Sequence, residues 1–100
     1  MIQKIIWLPI AQTTFTDALA YLEENFGSTE MQKFEDRVSQ KIELLRINPK
    51  LGRKSNKRFD AYRTVIHKRI ILFYQYKPTK KELRLLSFWN TRQDPASIRF

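Results

Sequence analysis

The sequence predicts an α+β domain in which a two-helix hairpin covers one face of an antiparallel sheet. Three observations carry this. Two consecutive segments show apolar spacing at the helical period, only two residues separate them, and the apolar runs of the second half alternate at the strand period. Strands gathered after helices, rather than interleaved with them, favour α+β over a parallel α/β sheet. One hundred residues, 42% of them hydrophobic and 13% aromatic, make one domain, residues 1–100, with enough apolar material for a core.

Each element follows in chain order. Ile2 to Trp7 is short and β-branched and is stopped by Pro9, which reads as an opening strand. From Ile10 the apolar positions Phe15, Ala18, Leu19, Leu22 and Phe26 keep helical spacing up to Gly27, a usual residue after a helix end, so the first helix is placed at 9–26. Thr29 with Gln32 three residues later fits a capping box, with Ser28 as an alternative cap. Met31, Phe34, Val38, Ile42 and Leu45 then form one apolar stripe ending before Asn48-Pro49, so the second helix is placed at 29–47. The short connection makes the pair antiparallel. Pro49 to Gly52 is a turn, and Arg53 to Arg58 reads as a polar, basic loop. Phe59–Ile66 and Arg69–Lys77 form a hairpin through His67-Lys68. Pro78 to Lys81 turns the chain, and Leu83–Trp89 is a last strand before a polar tail.

Charge narrows the function classes. Net charge is +9, but residues 1–48 hold five basic and seven acidic side chains, net −2, whereas residues 49–100 hold fourteen basic and three acidic, net +11. One half makes the field, and a polyanion or an acidic protein is the expected partner. The absence of cysteine excludes disulfides and thiolate metal sites and suits a reducing compartment. No apolar run approaches the ~20 residues of a membrane span, and the opening segment does not read as a signal peptide. The expected location is cytoplasmic, without membrane contact. No metal or other cofactor is expected.

Several motifs carry a resemblance over nearly the whole chain. Trp7-x-x-x-Ala11 precedes the first helix, Leu45-x-x-x-Pro49-x-x-Gly52 ends the second, Tyr62-Arg63 starts a strand, and ILFYQY and FWNTRQDP close the sheet. Together they resemble the RelE/ParE toxin superfamily. The resemblance implies the toxin of a bacterial type II toxin–antitoxin pair, neutralised by a cognate antitoxin, as a homodimer or a toxin–antitoxin heterotetramer. Its targets divide by branch: ParE-like members poison DNA gyrase, and RelE-like members cleave mRNA in the ribosome without metal.

Cleavage by 2′-OH attack needs a base, cations for the phosphorane charge and an acid for the leaving oxygen. The resemblance implies catalytic roles for Arg92 and Arg63. Where RelE-like strands carry a further arginine this sequence has Ile71, and Arg69, two residues earlier and on the same predicted strand face, is the substitute. No tyrosine or histidine follows Arg92 to act as the terminal acid. His67 reads as a solvated turn residue, Tyr62, Tyr74 and Tyr76 as half-buried strand residues, and Asp60 as a salt-bridge partner of Arg58 or Arg63. Lys50, Arg53, Lys54, Lys57 and Arg58 form the candidate phosphate-binding loop, and Phe88 and Trp89 are candidates for base stacking. The incomplete catalytic set favours ParE-like or degenerate activity over the ribonuclease. A non-catalytic basic adaptor is a third class, consistent with the composition but not with the motifs.

Overall fold

The computed structural model describes residues 2–55 and 60–93. In chain order it contains β1 (Lys4–Trp7), α1 (Pro9–Phe26), α2 (Ser28–Ile47), β2 (Arg53–Lys54), β3 (Tyr62–His67), β4 (Ile70–Lys77), a 3₁₀ turn (Pro78–Lys80) and β5 (Glu82–Asn90). The α+β layout stands as the sequence implies, with α1 lying over β5 and α2 over β3.

Two features of the sheet correct the sequence reading. The strand order is β1-β5-β4-β3-β2, and β1 pairs with β5 in parallel, so the sheet is mixed rather than antiparallel. The antiparallel helices return the chain to the end where it began, and the meander then leaves β5 running in the direction of β1. The basic loop also begins as a strand: Arg53 lies opposite Arg63 and Lys54 opposite Tyr62. Ile2 lies outside β1, although it is buried and donates its N–H to the Arg46 carbonyl at 3.4 Å.

The helix junction is tighter than a capping box would make it. Gly27 alone separates α1 from α2, with φ +93°, and no side chain caps either helix start. Its N–H donates to the Glu23 carbonyl at 3.0 Å while its own carbonyl accepts from Met31 N–H at 3.2 Å. One residue thus ends the first helix and begins the second. The left-handed backbone explains the glycine, since a Cβ there would meet nothing within 4 Å.

Between helices and sheet lies a core that includes Leu22, Phe34, Leu45, Ile70, Leu72, Tyr74 and Leu85. Trp7, Phe15, Phe34 and Phe88 extend it as an aromatic cluster with ring centroids 5.2–6.2 Å apart. Phe88 is therefore packed inside and unavailable for base stacking. On the opposite sheet face Ala61, Phe73 and Leu86 form a second, smaller cluster against Leu8, Ile71 and Trp89. A bulge between Phe73 and Tyr74 in the β4–β5 register leaves Leu86 unpaired on β5, and Leu86 joins this second cluster. Phe88 N–H donates instead to Thr14 Oγ1 of α1 at 2.9 Å, fastening helix to strand.

The turn after α2 is pinned by one phenol. Tyr74 Oη donates to the Pro49 carbonyl at 2.9 Å and accepts from Gly52 N–H at 3.0 Å. A Cβ on Gly52 would lie 2.6 Å from the Arg63 carbonyl oxygen and 2.7 Å from Tyr74 Oη, so the close approach demands glycine.

Candidate functional site

Two regions collect the cations that the sequence singles out, and they lie far apart. The first is a groove of about 430 Å³ along the outer edge of β3, lined by Lys41, Leu51, Gly52, Arg53, Arg63, Thr64, Val65 and Ile71. Arg53 and Arg63 face each other directly across the β2–β3 register. Like charges so placed repel. Among the described residues no carboxylate lies within ion-pair distance of either arginine or of Lys41. The groove floor is apolar and open: Val65 is 59% exposed and Leu51 47%. Beyond Tyr62 and Arg63, β3 has no strand on its outer side among the described residues, so its backbone donors and acceptors there are available for pairing.

The remaining members of the basic loop do not join this groove. Lys54, opposite Tyr62, lies on the alternate face from Arg53. Lys50 lines a separate hollow with Asn48, Pro49, Tyr62, Tyr76 and Pro78. Lys57 and Arg58 lie outside the described residues.

The second region is the end of the sheet where α1 stops and β5 exits. Arg69 is not in a strand, because β3 ends at His67 and β4 begins at Ile70, which leaves Lys68-Arg69 as the turn. It therefore does not share the face of Ile71. Arg69 N–H donates to His67 Nδ1 at 3.2 Å, and the Arg69 guanidinium lies 5.8 Å from the centre of the Phe26 ring. Arg92 follows β5 as the sequence implies, with its N–H donated to Asn90 Oδ1 at 3.0 Å and Nη1 3.5 Å from Tyr21 Oη. The hydrogen bond and charge of Arg92, opposed by desolvation and aided by the charge of Arg69, hold the Tyr21 phenol below its ordinary pKa. Arg63 sits on the other side of the sheet, four strand residues from His67 or ~13 Å along β3. The structure thus brings Arg69 and Arg92 together and leaves Arg63 apart.

His67 and Tyr74 are held inside the fold. His67 is 3% exposed rather than solvated, with Nε2 3.4 Å from Glu30 Oε1. A register shift between Val65 and His67 departs from strict alternation and leaves both Ile66 and His67 inside. Tyr74 is fully buried, and burial pushes its phenol up to about 12. Tyr62 stacks on it at 5.6 Å. Asp60 accepts a 2.7 Å hydrogen bond from Gln75, and Arg58, one of its two expected partners, lies outside the described residues. Trp89 is half-buried against Phe73 and Leu86.

Sequence reasoning missed Lys41 and Tyr21. Lys41 sits on the polar side of the α2 stripe, and only the β3 edge beside it gives it a role. Tyr21 follows Ala18 by three residues, a spacing that reads as core, and its place beside Arg92 is a contact across 71 positions. Among the described residues no three His, Cys, Asp or Glu side chains gather as metal ligands, and no helix is long and apolar enough to cross a membrane.

The fold and sequence match known proteins. A chain of the chromosomal ParDE TA system from P. aeruginosa superposes with a TM-score of 0.72 at 15% identity, covering 90% of this chain and 96% of that one. No curated protein matches. The family described as ParE toxin of type II toxin-antitoxin system, parDE, matches residues 5–95, nearly the full length. This chain, with its helical hairpin, mixed sheet and segregated charge, belongs to the ParE toxin family of type II toxin–antitoxin systems.

Proposed function

We propose that this toxin arrests growth by acting on DNA gyrase, as the ParE-like branch does, rather than by cutting mRNA. One observation carries the choice: the three arginines a ribonuclease would use are divided between the two sides of the sheet, with Arg63 apart from Arg69 and Arg92. Cations separated in this way do not share one phosphorane. Ribosome-dependent cleavage keeps a single supporting contact, the Tyr21 phenol beside Arg92, which supplies an acidic hydroxyl where the tail has none.

The groove on β3 suits the antitoxin. An extended acidic segment would pair with the exposed strand edge, set its carboxylates between Arg53, Arg63 and Lys41, and cover Val65 and Leu51. Controlled expression in a bacterial host tests the target, with the DNA-damage response and translation followed together. A damage response with translation intact is expected, and rapid translation arrest with mRNA cut inside codons would assign the ribosome instead.

A further inference from the structure

The Arg69–Arg92 end of the sheet has features separate from the groove on β3. Three chain segments converge there. The Arg69 carbonyl accepts from Thr91 N–H at 2.7 Å, so the turn bearing Arg69 and the turn bearing Arg92 are fastened to each other. Each arginine's own backbone N–H is also fixed, one to His67 Nδ1 and the other to Asn90 Oδ1. From α1, Tyr21 presents its hydroxyl to Arg92, and Phe26 lies under the guanidinium of Arg69.

We infer that Tyr21, Arg69 and Arg92 form a binding site for a single phosphate group. Arg69 Nε is buried and has no hydrogen-bond partner among the described residues. A donor left in this way is costly unless a ligand completes it. Neither arginine has a carboxylate within ion-pair distance among the described residues. Two guanidinium groups brought toward one hydroxyl repel each other, and the planar donor fork of arginine matches phosphate oxygens two at a time. Tyr21 adds a neutral O–H donor, and the two cations make that donor more acidic.

The surroundings limit the ligand to one phosphate. Asp17 lines the shallow pocket beside Tyr21 together with Asn90 and Gln93, and Glu23 and Glu24 stand exposed on the last turn of α1. Glu30, beside His67, adds a fourth acidic group on the α2 side. Carboxylates on that flank repel a polynucleotide laid across the end of the molecule, whereas a compact anion seated between the arginines is accepted. A free phosphate and the 5′-phosphate at the end of a nucleic-acid strand share this chemistry.

The test uses the full chain and needs neither gyrase nor ribosome, so its outcome is independent of the target. Inorganic phosphate is titrated while backbone amide and arginine Nε–H resonances are followed by NMR, in parallel with a short DNA strand with and without a 5′-phosphate. Shifts centred on Arg69, Thr91 and Arg92 are expected. Combined Arg69→Gln and Arg92→Gln should weaken binding roughly tenfold or more. Tyr21→Phe, which keeps the ring against Phe26, should weaken it by a smaller factor with unchanged thermal stability. Preference for the 5′-phosphorylated strand over the unphosphorylated one assigns a strand end, and equal affinity for that strand and inorganic phosphate assigns the free ion. Phosphate shifts that map to Lys41, Arg53 and Arg63, unchanged affinity in the double variant, or no shifts at all would overturn the site.

Discussion

Tyr74 does structural work that its chemistry disguises. Its hydroxyl holds the Pro49 carbonyl and the Gly52 N–H at once, 25 and 22 positions away, and burial pushes its pKa up to about 12. Because the folded state holds this proton more tightly than the unfolded chain, whose tyrosine ionises near 10, the contribution is complete below about pH 10 and is lost as pH rises toward 12. Thermal melts between pH 9 and 12 should show that decline, and Tyr74→Phe should remove its tyrosine-dependent part. Gly52→Ala should cost about 1–3 kcal/mol in denaturant titrations, because the added Cβ meets backbone oxygen rather than a yielding side chain. Leu45-x-x-x-Pro49-x-x-Gly52 is visible in the sequence as a motif. The phenol that explains it is not, since no local pattern reports a contact across more than twenty residues.

Among the elements, β2 and β3 join stability to recognition. The Arg53–Arg63 pair faces itself across the strands with no described counter-charge. Arg63→Gln should therefore raise the melting temperature of the isolated toxin slightly while weakening antitoxin binding by roughly tenfold. Unchanged antitoxin affinity in this variant would refute the groove as the antitoxin's seat. Helix limits were legible to within one residue because the 3.6-residue stripe is long and sharply punctuated. The parallel pairing of β1 was not, because strand direction depends on where the helices deliver the chain. The buried His67 was hidden for another reason: a register shift breaks the period-two rule on which strand faces are read.

For the whole molecule, the division of charge along the sequence becomes a division between layers. The segment holding both helices carries net −2, and the segment holding β2 to β5 carries net +11. Association with an acidic partner should accordingly weaken steeply with added salt, chiefly through a slower association rate measured by stopped flow. The basic half was legible from residue counts alone. How its arginines divide between the β3 edge and the far end of the sheet was not, because that depends on register and on the placement of two turns.

The single glycine between the helices fixes the angular phase of one against the other. Each residue in an α-helix advances the side-chain direction by ~100°, so an insertion beside Gly27 that extended α2 toward its start would require the hairpin to rewind by more than a quarter turn. Phe34 and Val38 would then swing away from the sheet they now cover. Lys41 would leave the rim of the β3 groove in the same movement. A junction next to the Arg69 end of the sheet thus sets the azimuth of a recognition residue at the β3 groove, and its length is held as strictly as that of a gear tooth.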